Sequence, residues 1–176
     1  TYTKGNNVAA YDDGNNDDTA SEADHTPESA TGLIFDYAFD ATEPGGNPIY
    51  SAAAQSEDAA ITNLFYWNNI IHDVMYQYGF DEAAGNFQEN NFTNGGAGGD
   101  SVDAQAQDSA NLTPTGLNRC NANFGTPADG GNPRMQMYIC DGGATSDHND
   151  GDFDSNVIVH EYAHGISNRL VGGPGV

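Results

Sequence analysis

Apolar residues recur at helical spacing at Ile61, Leu64, Phe65, Ile71, Met75 and Tyr78, the longest such pattern in the chain. Ser56 precedes it as a candidate N-cap, and Glu57 and Asp58 stand in the first turn, where the helix dipole favours anions. Gly79 follows at a natural stop. Trp67, Ile70 and Val74 add a second apolar stripe, so the pattern predicts a helix buried on most sides. A second helix is predicted after the acidic run from Asp147 to Asp154, capped by Asp154 or Ser155 and ended by Gly172-Gly-Pro-Gly175.

Strand patterns are fewer. Arg134-Met-Gln-Met-Tyr-Ile139 alternates, which places Met135, Met137 and Ile139 on one face. Gly32 to Phe39 has strand composition, and Val102 to Gln107 is a poorly alternating strand candidate. Glu43-Pro-Gly-Gly-Asn-Pro48 reads as a loop. Residues 1–30 are polar and rich in turn formers, an irregular strap expected to lie on a domain formed by residues 31–176.

Composition narrows the class. A chain of 176 residues suffices for one core, and 22 glycines with 37% hydrophobic residues point to a loop-rich build. No apolar run approaches the roughly 18 residues of a membrane helix, and no membrane partner is expected. Thr1 opens a polar segment, so any targeting or pro-segment is expected to have been removed or to be left out of this sequence. With 26 acidic residues against 4 Lys and Arg, the net charge is -22, which excludes neutralisation of a nucleic-acid backbone. Asp150, Asp152 and Asp154 at alternate positions suggest Ca²⁺, although the run lacks the full pattern of a calcium loop. Cys120 and Cys140 are the only cysteines, and in a secreted chain they suggest a disulfide.

The chemistry lies in the second helix. His160-Glu-Tyr-Ala-His164 puts two imidazoles one turn apart on one face, where they can converge on one Zn²⁺. Glu161 lies about 100° around the helix, within reach of a metal-activated water as general base. A catalytic zinc needs a third protein ligand. Ser167 and Leu170 stand where the metzincin extension requires Gly and His, which excludes that class. Residues 165–176 hold no His, Asp, Glu or Cys, so the third ligand is expected upstream or, in the favoured reading, beyond Val176. His72, beside Asp73 in the first helix, reads as a satisfied core histidine, and His25 and His148 as loop residues. Asn91-Phe-Thr93 and Asn111-Leu-Thr113 are glycosylation sequons in form.

Several blocks carry a family resemblance. Leu64-Phe-Tyr-Trp-Asn-Asn-Ile-Ile-His-Asp73, Tyr78-Gly-Phe-Asp-Glu-Ala-Ala-Gly-Asn-Phe-Gln88, Asn121-Ala-Asn-Phe124, Arg134-Met-Gln-Met-Tyr138 and Asp150-Gly-Asp-Phe-Asp154 with His160-Glu-Tyr-Ala-His-Gly-Ile-Ser-Asn-Arg-Leu170 resemble the fungalysin (M36) family of zinc metallopeptidases. The resemblance runs along nearly the whole chain. It implies an α+β fold, the N-terminal lobe of a thermolysin-like domain. In it a mixed, mostly antiparallel sheet packs with helices and ends in the active-site helix.

By the same resemblance the chain is part of a secreted endopeptidase made as a zymogen, acting on proteins or peptides. Its cleaved pro-domain would act as inhibitor, and a C-terminal helical lobe would bring a glutamate as third zinc ligand. Gly5-Asn-Asn-Val8 resembles the start of such a mature enzyme. Asn121, Ala122, Asn123 and Phe124 would line the cleft as an edge segment pairing with extended substrate. The residues leave two rivals open. One is an incomplete or non-catalytic metal-binding extracellular module, distinguished by whether an acidic ligand follows Val176. The other is a calcium-dependent acidic module, distinguished by Ca²⁺-dependent folding.

Overall fold

A parallel pair of strands needs a long crossover, usually a helix, and here the first helix supplies it. Val8–Asp12 (β1) and Val102–Asp108 (β2) run parallel, Val8 opposite Val102, with Glu57–Gln77 (α1) between them in the chain. The structure, a computed structural model, describes residues 2–20, 24–29, 32–39, 56–110, 120–141 and 148–172. The loop expected at Glu43 to Pro48 and the sequon at Asn111 lie outside them.

β2 also runs parallel to Arg134–Asp141 (β4), with Ala104 opposite Met135. Ala122–Gly125 (β3) and His148–Asp150 (β5) run antiparallel to β4. The main path is β1-β2-β4-β3, with β5 paired to the C-terminal end of β4. The fold is α+β, but the sheet expected to be mostly antiparallel is evenly mixed, and residues 1–30 contribute an outer strand of it.

α1 packs on β1 and β2, where Val8, Ala10, Val102, Ala104 and Ala106 turn fully buried side chains to it. The alanines let the helix sit close, and Ile61, Leu64 and Ile71 fill the contact. The expectation of burial on most sides fails. Tyr66 and Val74 are exposed, and Trp67 and Ile70 are only half-buried, because one helix face meets the sheet and of the second stripe Trp67 reaches the core only in part. Ser56 occupies the N-cap position, but its side chain makes no capping hydrogen bond.

The strand expected at Gly32 to Phe39 does not form. Gly32 and Leu33 make a turn with φ of 73° and 58°, and the Ile34 N–H donates to Ser29 Oγ. Strand propensity is realised only against a partner, and this segment lies beside none among the described residues.

The poor alternation of β2 has a physical origin in the second face of the sheet, which is buried yet polar. Gln105 Nε2 donates to the Tyr11 hydroxyl (3.3 Å), the Tyr138 hydroxyl to Gln136 Oε1 (3.3 Å), and Gln136 Nε2 to Asp18 Oδ1 and to Asp108. A bulge between Gln105 and Asp108 frees the Gln107 N–H, which donates to the buried Asp152 carboxylate (2.9 Å). The final helix, Ser155–Val171 (α2), packs against α1 and β3. Asp154 caps it by accepting from the Asn156 and Val157 N–H groups, and Gly172 ends it with φ of 123°.

Candidate metal centre

His160 and His164 stand on the exposed side of α2 with their Nε2 atoms 3.0 Å apart and their rings at 89°. Glu161, one residue on, is only 7% exposed. One ligand atom from each of the three lies within 4.8 Å of the others. Two nitrogens held at Zn–N lengths of about 2.0–2.1 Å in a tetrahedral site stand about 3.3 Å apart, so the observed separation fits a shared metal.

The inner face of α2 fixes where those imidazoles point. Ile158, Tyr162, Gly165 and Ile166 are buried. The Tyr162 ring meets Phe87 (centroids 5.5 Å) and Phe124 (5.9 Å), and Phe87 meets Phe80 (5.4 Å) and Phe124 (5.7 Å). The Tyr162 hydroxyl is buried without a hydrogen-bond partner among the described residues, and burial pushes its pKa up.

One turn beyond the second histidine, Arg169 anchors the helix. Its side chain is 3% exposed, and Nη1 lies 3.1 Å from both Asp100 Oδ2 and Asp129 Oδ1. It also donates to the carbonyls of Gly85, Pro127, Ala128 and Gly131, and its guanidinium lies over the Phe87 ring. Burial pushes the Asp100 carboxyl up, against hydrogen bonds from the Gln88 and Gly130 N–H groups and from Arg169. Asn168 Nδ2 donates to Thr126 Oγ1 (3.1 Å), so α2 is tied along its length to the segment leaving β3. Sequence reasoning missed Arg169 and Asp100. The available signal was that Arg169 is one of only 4 basic residues and shares the helix of the histidines.

β3 covers three of the four residues expected as an edge segment, Ala122, Asn123 and Phe124, and Asn121 precedes it, accepting from the Tyr138 N–H. One side of β3 pairs with β4, and no strand pairs with its other side among the described residues.

The remaining candidates sort by what they touch. Asp150, Asp152 and Asp154 do not converge, since Asp154 serves as helix cap while Asp150 accepts from the Asp152 N–H and Gln107 Nε2. Asp152 is fully buried, and burial together with the adjacent Asp150 raises its pKa well above the usual value. A second convergent set, Asp13, Asp18 and Asp108, accepts hydrogen bonds from neighbouring backbone and from Gln136. His72 is a satisfied core histidine, its ring nitrogens 3.0 Å from Asp73 Oδ1 and 3.2 Å from Gln88 Oε1. In the Asn91 sequon the asparagine is buried and its amide donates to the Gly95 carbonyl.

A family model described as fungalysin metallopeptidase (M36) matches residues 1–176. The chain is 42% identical over 174 residues to extracellular metalloproteinase 4 of Arthroderma otae. It is 45% identical over 175 residues to extracellular metalloproteinase 2 of Trichophyton tonsurans. Each match covers 99% of this chain and 24% of the relative, so the chain spans about a quarter of the length of the curated relatives it matches. No described helix is long and apolar enough to cross a membrane.

Proposed function

The chain belongs to the fungalysin (M36) metallopeptidase family, and on that premise we propose that it is the metal-binding portion of a secreted zinc endopeptidase. The observation that carries this reading is the pair of exposed imidazole nitrogens 3.0 Å apart with the Glu161 carboxylate beside them. His160 and His164 would hold the zinc, which when bound supplies Lewis acidity for polarising a peptide carbonyl and acidifying water. Glu161 takes the proton from the attacking water and returns it to the leaving amine. The third ligand comes from polypeptide outside this chain, and a cleaved pro-domain holds the enzyme inactive before maturation.

The outer side of β3, with Asn121, Ala122, Asn123 and Phe124, receives extended protein or peptide substrate by strand addition. Main-chain pairing of that kind places little demand on substrate sequence. The unpaired side of β3 supports this role. Cys120 and Cys140 form a disulfide. The support is that no described cysteine is a free thiol, and that the Cys120 N–H donates to the carbonyl of Ile139.

The test uses the full-length protein and its Glu161→Gln variant, with zinc measured by elemental analysis beside casein hydrolysis. One zinc per chain in both, with hydrolysis lowered by about 10²–10⁴-fold in the variant, is expected. Full hydrolysis by the variant, or no zinc in the active wild type, would sink the proposal.

A further inference from the structure

Gly165 directly follows the second histidine and lies inside α2 with an ordinary helical backbone. Glycine is therefore not needed there for its φ, and alanine would favour the helix. The reason for glycine is space. A Cβ at residue 165 would lie 2.4 Å from Phe124 Cε1, 2.9 Å from Phe124 Cζ and 2.9 Å from Phe87 Cε2. Phe87 is fully buried and held between Phe80, Tyr162 and the Arg169 guanidinium, so it cannot yield. Relief has to come from Phe124, on β3.

We propose that Gly165 is a positioning residue, its missing side chain setting how closely the edge strand β3 stands against the metal-binding turn of α2. The neighbouring ties repeat the arrangement, with Asn168 on Thr126 and Arg169 on the Pro127 carbonyl. Helix and strand exit thus run side by side at three successive points, and the Gly165 contact is the one adjacent to His164. With a side chain at 165, the Phe124 ring swings out or the strand moves away, and a peptide paired to β3 no longer presents its carbonyl at the same distance from the histidines. This inference rests on the reading of β3 as the substrate edge.

The experiment compares Gly165→Ala, Phe124→Leu and the double variant in the full-length protein. The measurements are zinc content, hydrogen exchange of the β3 amides, and kcat and KM on a peptide substrate. Gly165→Ala should keep its zinc, exchange its β3 amides faster and lose kcat/KM by about 10–100-fold, mainly through kcat. Adding Phe124→Leu should recover part of that loss, leaving the double variant better than Gly165→Ala alone. Wild-type exchange in Gly165→Ala, or a double variant no better than the single, overturns the positioning contact. Faster β3 exchange with unchanged kcat/KM instead overturns the substrate-edge reading beneath it.

Discussion

Substituting methionine for Arg169 keeps most of the side chain's length and removes its charge. The guanidinium is 3% exposed and the Asp100 carboxylate 0%, so the pair is out of water. After Arg169→Met, Asp100 retains only the Gln88 and Gly130 N–H donors among the described residues; the carbonyls of Gly85, Pro127 and Gly131 lose the guanidinium donor, and that of Ala128 keeps only the Gly131 N–H. Breaking a buried pair by removing one partner costs about 3–5 kcal/mol. Whole domains hold only about 5–15 kcal/mol, so the loss is a large share of the total.

Urea unfolding followed by circular dichroism measures it, run on Arg169→Met, Asp100→Asn and the double variant. The double should cost less than the sum of the singles by about 0.5–3 kcal/mol, because it leaves no buried charge stranded. pH supplies an independent check. Burial already raises the Asp100 carboxyl with the guanidinium in place, and removing the cation raises it further. The folded variant then binds a proton more tightly than the unfolded chain, so its deficit should shrink as pH falls from 7 towards about 4. A cost below about 1 kcal/mol, strict additivity, or a deficit independent of pH would refute the reasoning.

Asp108 is pushed up to about 6, chiefly by burial and then by Asp13 and Asp18 against the Ser109 hydrogen bond and Arg134. Its ionisation therefore subtracts stability as pH rises from about 4 to about 6, and Asp108→Asn should gain roughly 1–3 kcal/mol at pH 7 and little at pH 4. Denaturant titrations at the two pH values decide this, an equal effect at both being the adverse result. Tyr162→Phe removes a buried hydroxyl that has no partner among the described residues, so it should leave zinc content unchanged and stabilise by up to about 1 kcal/mol. A comparable loss in chemical denaturation would reveal a partner for the hydroxyl. Gly96 has φ of 64°, and a Cβ there would lie 1.9 Å from the Glu82 carbonyl oxygen. Gly96→Ala should cost at least about 1–3 kcal/mol in thermal melts, and a neutral result would mean that the loop yields freely.

What was legible in the sequence was local. α1, α2 and β4 announce themselves because period and caps are written in neighbouring residues, and the i, i+4 histidines share that property. β1 escaped notice because Val8–Asp12 is short, sits among turn formers and becomes a strand only through β2, far along the chain. Gly32 to Phe39 erred the other way, with propensity but no pairing strand among the described residues. Ala104 and Ala106 made β2 look weak, whereas small side chains are what a closely packed helix requires. At the site, the groups that aim the imidazoles, Phe87, Phe124, Asp100 and Arg169, come from separate segments and meet only in the folded chain.

The parallel pairing of β1 with β2 governs the order of events in folding. Residues 8 and 102 become neighbours only after the whole intervening chain, α1 included, has been looped back. Such closure is dominated by non-local contacts and is slow beside the sub-microsecond to microsecond formation of a helix. During synthesis the backbone of Val8–Asp12 therefore waits for its pairing partner until β2 emerges. A protease that nicks β1 in that interval removes an outer strand of the sheet, and the exposed side of β2 becomes a template for pairing with another chain.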